Sequence, residues 1–144
     1  MALLYPSNEW CQEWKNVINS SDATKEAGKD WGVDFIGNWI FEITPGSGLD
    51  KTTYVYLEAK AGECTDARLI DNPSEVEVGF YCTGSYEEFK AAVKGKKDFI
   101  QGVVRGTFKL KGNMMKIMKY GGFIRTVANS LQGIDSEFLG EKDL

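Results

Sequence analysis

Between residues 39 and 82 apolar side chains recur at every second position, while on either side of that stretch they recur every three or four. This change of period constrains the fold more than any other feature. Strands put alternate residues on opposite faces, whereas helices bring i, i+3 and i+4 together. Trp39, Phe41 and Ile43 share one face. In residues 52–60, Val55, Leu57 and Ala59 face one way, and Tyr54, Tyr56 and Glu58 the other. Ala61-Gly62-Glu63 reads as a hairpin turn into residues 64–70, and Asp71-Asn72-Pro73 as a second turn. Val76, Val78, Phe80 and Cys82 then form one apolar side, with Glu75 and Glu77 opposite. Such alternation predicts an antiparallel sheet with one solvated face.

The flanks are helical. Pro6-Ser7-Asn8 starts a helix that carries Trp10, Trp14, Val17 and Ile18 on one face, with Glu9, Glu13 and Asn16 off it. Ser20-Ser21-Asp22 interrupts, and a short second helix runs to Gly28, whose missing Cβ suits a left-handed stop. After the strands, Ser85 and Glu88 form a capping box for a helix bearing Tyr86, Phe89 and Val93, which Gly95 ends. Asp98 caps another helix, with Phe99, Ile100 and Val103. Residues 106–112 form a short strand with Phe108 and Leu110 inward and Lys109 and Lys111 outward, and Asn113 caps the last helix. The order is helices, four strands, two helices, one strand, one helix. Segregated runs of this kind predict an α+β fold, not alternating βαβ units. The 144 residues suit a single domain.

Composition narrows the chemistry. There is no histidine, which removes the commonest general base, the usual Ser-His and Cys-His pairs and most zinc sites. No nucleophile elbow, phosphate-binding glycine loop or dinucleotide fingerprint is present. Glu87 and Glu88 are adjacent on a helix and do not face each other. Cys82 alternates with Phe80 and Val78 as a small core residue, and Cys11, Cys64 and Cys82 fit reduced thiols. The sequence thus implies no enzyme, cofactor or metal. A net charge of −4, with Lys and Arg scattered apart from Lys94, Lys96 and Lys97, disfavours nucleic acid and anionic membranes. No apolar run is long enough to span a bilayer and no signal peptide is read, so a cytoplasmic location is expected.

Residues 114–131 read as one helix with too much apolar surface. On a 3.6-residue wheel Met114, Met118, Ile124, Val127 and Leu131 cluster, while Met115, Ile117, Phe123 and Ala128 spread beyond that stripe. Lys116, Lys119, Arg125 and Gln132 mark what can face solvent. Gly121-Gly122 weakens the middle and allows a bend. A core helix needs one apolar face. The second could be buried in the same core, meet another subunit, or meet a ligand to which flexible methionines adapt.

Gly95-Lys96, a polar residue, Asp98 and then GTFKLKGNMMKIMK ending at Lys119 together resemble the sterol carrier protein (sterol-transfer) family. Gly106, Phe108, Lys109, Leu110, Gly112, Asn113, Met114, Met118 and Lys119 match its segment leading into an amphipathic C-terminal helix. The hairpin around Gly62 and the capped helix at Ser85 are also similar. The resemblance covers residues 33–131, with residues 1–32 an N-terminal helical segment. It departs from the family at Arg105 and Thr107, where Gln and Lys are frequent.

The resemblance implies a five-stranded, largely antiparallel sheet covered on one face by helices, with an apolar tunnel between them. The tunnel would hold a sterol, fatty acid, fatty acyl-CoA or phospholipid without catalysis. Its expected wall takes Trp39, Phe41, Phe80 and Phe89 from the first half of the fold. Phe99, Ile100, Val103 and Phe108 follow, and then Met114, Met115, Ile117, Met118, Phe123, Ile124 and Val127. Arg105 is the expected partner for a carboxylate or phosphate head. Release to a membrane or partner enzyme would open a gate in the last helix, hinged at Gly121-Gly122. On this reading Met118→Glu weakens lipid binding far more than it weakens the fold. The alternatives are a homo-oligomeric or protein-interaction domain and an accessory subunit that delivers an apolar substrate to an enzyme.

Overall fold

A computed structural model describes residues 2–140. Five strands form one mixed sheet: β2 (Trp39–Thr44), β3 (Thr53–Lys60), β4 (Glu63–Ile70), β5 (Phe80–Ser85) and β6 (Lys109–Lys111). Their spatial order is β4-β3-β2-β5-β6. All neighbours pair antiparallel except β2 and β5, which run parallel. The predicted hairpin joins β3 to β4, and its two turn residues, Ala61 and Gly62, have φ of 55° and 81°. Positive φ at both positions matches the right-handed twist of the flanking strands.

Val76 and Val78 do not share a face with Phe80 and Cys82, contrary to the alternation read from residues 76–82. The strand begins only at Phe80. Residues 71–79 carry the chain past β3 and β2 so that β5 can pair parallel with β2. On the way Val76 and Val78, with Tyr54 and Tyr81, cover Ile40, Tyr56 and Ile70 on the sheet's outer face. That face is therefore not simply solvated. It carries a small apolar cluster whose tyrosine hydroxyls donate to carboxylates, Tyr56 to Glu58 at 2.7 Å and Tyr81 to Glu42.

Among the described residues six α-helices accompany the sheet: α1 (Asn8–Asn19), α2 (Asp22–Ala27), α3 (Tyr86–Val93), α4 (Phe99–Arg105), α5 (Met114–Lys119) and α6 (Gly121–Ser130). Predicted caps form where short polar side chains precede apolar periodicity. Ser7 Oγ accepts the Trp10 amide at 3.1 Å, and Asp98 accepts that of Ile100 at 2.9 Å. At Ser85 only one half of the expected capping box appears. Ser85 Oγ accepts the Glu88 amide at 3.2 Å, while the Glu88 carboxylate meets Lys97 Nζ at 3.2 Å. Gly28 ends α2 without a left-handed turn, at φ −106°. Glycine suits this position because a Cβ there would strike the Phe123 ring and lie 2.9 Å from Gly62 Cα.

The sequence pattern gave no hint of the two-stranded parallel sheet formed by β1 (Leu3–Tyr5) and β7 (Ser136–Phe138). Three residues are too few to show a period. This sheet ties the ends of the described chain together and is locked to α1, whose Trp10 indole N–H donates to Ser136 Oγ at 2.9 Å.

Trp31 lies between α2 and β2 and is fully buried. Its indole N–H donates to the Gly37 carbonyl at 2.8 Å, and its own carbonyl accepts the Ala61 amide at 2.7 Å. Ring centroids of Phe35, Phe80, Tyr120 and Phe123 lie 5.0–5.5 Å from its own. It thus connects the hairpin, the sheet and the start of α6.

The single helix expected over 114–131 is two. Tyr120, at φ −103° and ψ 27°, ends α5 and precedes α6. The bend falls beside Gly121-Gly122, as the weak helix propensity there predicts. It also shifts the helical phase, so that the wheel joining Met114 and Met118 to Ile124 and Val127 does not exist in three dimensions. Ile117 points inward, but Met115 and Met118 are 81% and 75% exposed.

Candidate functional site: an apolar cavity beside a cationic pocket

The inward face of β2 and β3 does not pack solidly against the helices. A cavity of about 70 Å³ remains. Trp39, Phe41, Val55 and Leu57 form its sheet side, and Trp10, Trp14 and Ile18 of α1 border it. Phe89 and Ala92 of α3, Phe99 of α4, and Phe123, Ile124, Val127 and Ala128 of α6 close it. Apart from Glu63 its wall is made of apolar residues, tyrosine and cysteine. Two of the cavity-lining tryptophans have their N–H groups satisfied elsewhere: that of Trp10 donates to Ser136 Oγ at 2.9 Å and that of Trp14 to Ser130 Oγ at 3.1 Å. Such a lining offers a guest shape and dispersion, without directional bonds.

A second pocket, of about 200 Å³, shares Ala92, Phe99, Ala128 and Leu131 with the first. Its other lining residues are mostly polar: Lys97, Asp98, Arg125, Asn129 and Gln132, with Gly95. Lys97 is held by Glu88, and Asp98 is committed to capping α4. Arg125 makes no ion pair among the described residues. An apolar void and a pocket containing an uncommitted guanidinium therefore share one wall.

Of the residues expected at a binding site, the structure gathers Trp39, Phe41, Phe89, Phe99, Phe123, Ile124 and Val127 around the cavity. Phe80 and Phe108 are core residues outside its lining: Phe80 stacks on Trp31 and Trp39, and Phe108 packs against Phe89 and Phe99. Ile117 is buried, and Ile100 and Val103 flank the core, none of them at the cavity. Arg105, the last residue of α4, is exposed and lines neither pocket. Met114, Met115 and Met118 are exposed and also outside the lining. Of the two cations in the adjoining pocket, Lys97 is paired with Glu88 and Arg125, among the described residues, is not; Arg125 is exposed, as the wheel has it, and also borders that pocket. Sequence reasoning also left α1 out of the site, although its Trp10–Trp14–Ile18 stripe was visible.

The three thiols are buried and free. Burial pushes Cys11, Cys64 and Cys82 each up to about 12 from an ordinary value of 9.0. They are protonated at neutral pH, and a protonated thiol is a poor nucleophile and metal ligand. Among the described residues no group of three or more His, Cys, Asp or Glu side chains is placed to hold a metal ion. No described helix is long and apolar enough to cross a membrane.

A helix-backed mixed sheet that leaves an apolar void beside a polar pocket defines a small cavity-bearing α+β domain. The model of the SCP-2 sterol transfer family matches residues 23–125, and the chain belongs to that family. Among solved structures the fold is similar to a crystal structure of sterol carrier protein 2, at 20% identity and a TM-score of 0.78, covering 89% of this chain and 97% of that one. A conserved hypothetical protein from Thermus thermophilus is similar at 19% identity and TM-score 0.77, covering 92% and 91% of the two chains. Palmitated SCP2L2 from Aedes aegypti is similar at 11% identity and TM-score 0.51, covering 89% and 96%. No curated sequence matches the chain at a significant level.

Proposed function

We propose that this protein binds and hands over an amphipathic lipid with an anionic head. Its tail occupies the apolar cavity, and its carboxylate or phosphate lies in the adjoining pocket against Arg125. The observation that carries this reading is the wall the two pockets share through Ala92, Phe99, Ala128 and Leu131. Family membership supports lipid binding in general, and the palmitated relative shows that a similar fold has been prepared with an acyl chain. The histidine-free composition and protonated thiols fit carriage without chemistry.

Each buried methylene contributes about 0.8 kcal/mol, so a long chain gains on the order of 10 kcal/mol gross. Chain ordering and lost overall freedom return much of it. Pockets for small molecules usually hold about 300–1,000 Å³, against about 70 Å³ here. A lipid must therefore widen the cavity as it enters. The wall suited to move is α6, which starts at Gly121-Gly122, where an added Cβ would meet nothing within 4 Å.

Two experiments follow. Arg125→Glu lowers affinity for a fluorescent fatty acid by at least tenfold, since a charge-assisted bond is worth about 1.5–3 kcal/mol. It leaves a fatty alcohol of equal length nearly unaffected. Equal affinity of wild type and variant for the acid would remove Arg125 from the site. Gly121→Ala with Gly122→Ala raises thermal stability by about 0.5 kcal/mol per site by restricting the unfolded chain. In stopped-flow mixing the same variant takes up the fatty acid more slowly; unchanged uptake would locate the moving element elsewhere.

A further inference from the structure

The acidic net charge of the chain hides a strong division. Residues 94–125 contain nine Lys and Arg against one acidic residue, Asp98. The remainder holds eight basic residues against twenty acidic ones. The basic segment is the one that builds α4, β6, α5 and the start of α6. The scatter read along the sequence is thus one-sided in charge.

The largest exposed apolar side chains are in the same segment. In α5, Ile117 faces the core, and Met114, Met115 and Met118 face out at 45%, 81% and 75% exposure. Asn113 fixes this short helix by accepting the amides of Met115 and Lys116 at 2.9 and 3.3 Å. Lys116 Nζ lies 4.5 Å from the Phe35 ring centroid and 3.9 Å from Asp34, contacts that set the loop between α2 and β2 against α5. That loop adds exposed Val33 and Ile36, and Lys116 offsets its acidic Asp34. Lys109 and Lys111 are exposed on the edge strand that precedes α5 in the chain, and Lys119 ends the helix.

We infer that α5 with its flanking lysines is a docking surface for an anionic lipid bilayer. Unbranched methionines insert among acyl chains without demanding a fixed shape, while lysines around them meet phosphate heads. Each basic residue near an anionic surface strengthens attachment about fivefold. The surface is covalently continuous with α6 through Tyr120, so docking would bring the membrane to the element that closes the cavity. Lysines on an edge strand also discourage strand pairing between molecules, but that role requires neither exposed methionines nor affinity for lipid.

Flotation with phosphatidylcholine vesicles, with and without phosphatidylglycerol, tests the inference. Wild type floats with the anionic vesicles only, and less as salt rises. Met115→Ser with Met118→Ser lowers binding at least tenfold, and Lys109→Gln with Lys111→Gln about 25-fold. These side chains are exposed, so both variants keep the wild-type circular dichroism and fatty-acid affinity. The result is independent of cargo: a cavity-blocked variant, Ala128→Phe, still floats. Absence of wild-type binding, or binding by both double variants as strong as that of wild type, would overturn the inference. So would a wild-type dimer in sizing chromatography that Met115→Ser with Met118→Ser dissolves, since the patch would then be a subunit contact.

Discussion

Trp31→Ala lowers the stability of the protein by about 3–5 kcal/mol, the cost of truncating a fully buried large aromatic. That is a large share of the 5–15 kcal/mol available to a typical domain. Three losses combine. The ring vacates the space among Phe35, Phe80, Tyr120 and Phe123. The Gly37 carbonyl loses its indole donor. The loop between α2 and β2 loses its anchor against the hairpin, although the Trp31 carbonyl still accepts from Ala61. Urea denaturation followed by far-ultraviolet circular dichroism reads the change. A loss below about 1 kcal/mol, close to that of ordinary surface substitutions, would show that the aromatic cluster does not hold the hairpin, sheet and α6 together.

Ala128→Phe lowers fatty-acid affinity about a hundredfold while leaving stability nearly unchanged. Ala128 belongs to the wall shared by the apolar cavity and the cationic pocket. A phenyl ring there takes the space of roughly four methylenes of ligand, worth about 3 kcal/mol at 0.8 kcal/mol each. The residue is only partly buried, and the void receives the ring, so the overpacking that penalises a filled core is relieved. Titration with a fluorescent fatty acid, alongside thermal unfolding, separates the two effects. Equal loss of binding and stability would mean that the site is ordinary core. Unchanged binding would place the ligand elsewhere.

Much of this architecture was legible because side-chain period and capping are local. Trp39, Phe41 and Ile43, the Ala61-Gly62 turn, Ser7, Asp98 and Asn113 all behave as their neighbours dictate. Reading failed where a distant partner decides. Val76 and Val78 alternate correctly with Phe80, yet the crossover that permits parallel β2–β5 pairing turns them to the other face. The pairing of β1 with β7 joins residues 3–5 to 136–138, and neither segment shows a pattern of its own.

The site was half legible for a related reason. Strand residues Trp39 and Phe41 and helix residues Phe89, Phe123, Ile124 and Val127 reach the cavity because their faces are fixed by period. The methionines do not, because the break at Tyr120 resets the wheel. Met118→Glu, taken from sequence as a lipid-binding lesion, changes an exposed side chain outside the cavity. Arg105 and Arg125 are equivalent in sequence terms, and only the folded position of α6 brings Arg125 to the pocket beside the void.

Lipid carriage in the cavity is tested most directly by native mass spectrometry of protein purified without detergent, before and after loading with palmitate. Wild type forms a one-to-one adduct, which is reduced in Arg125→Glu and absent in Ala128→Phe. The absence of any adduct in loaded wild type, or an adduct equally abundant in Ala128→Phe, would contradict a lipid carried in the cavity between sheet and helices.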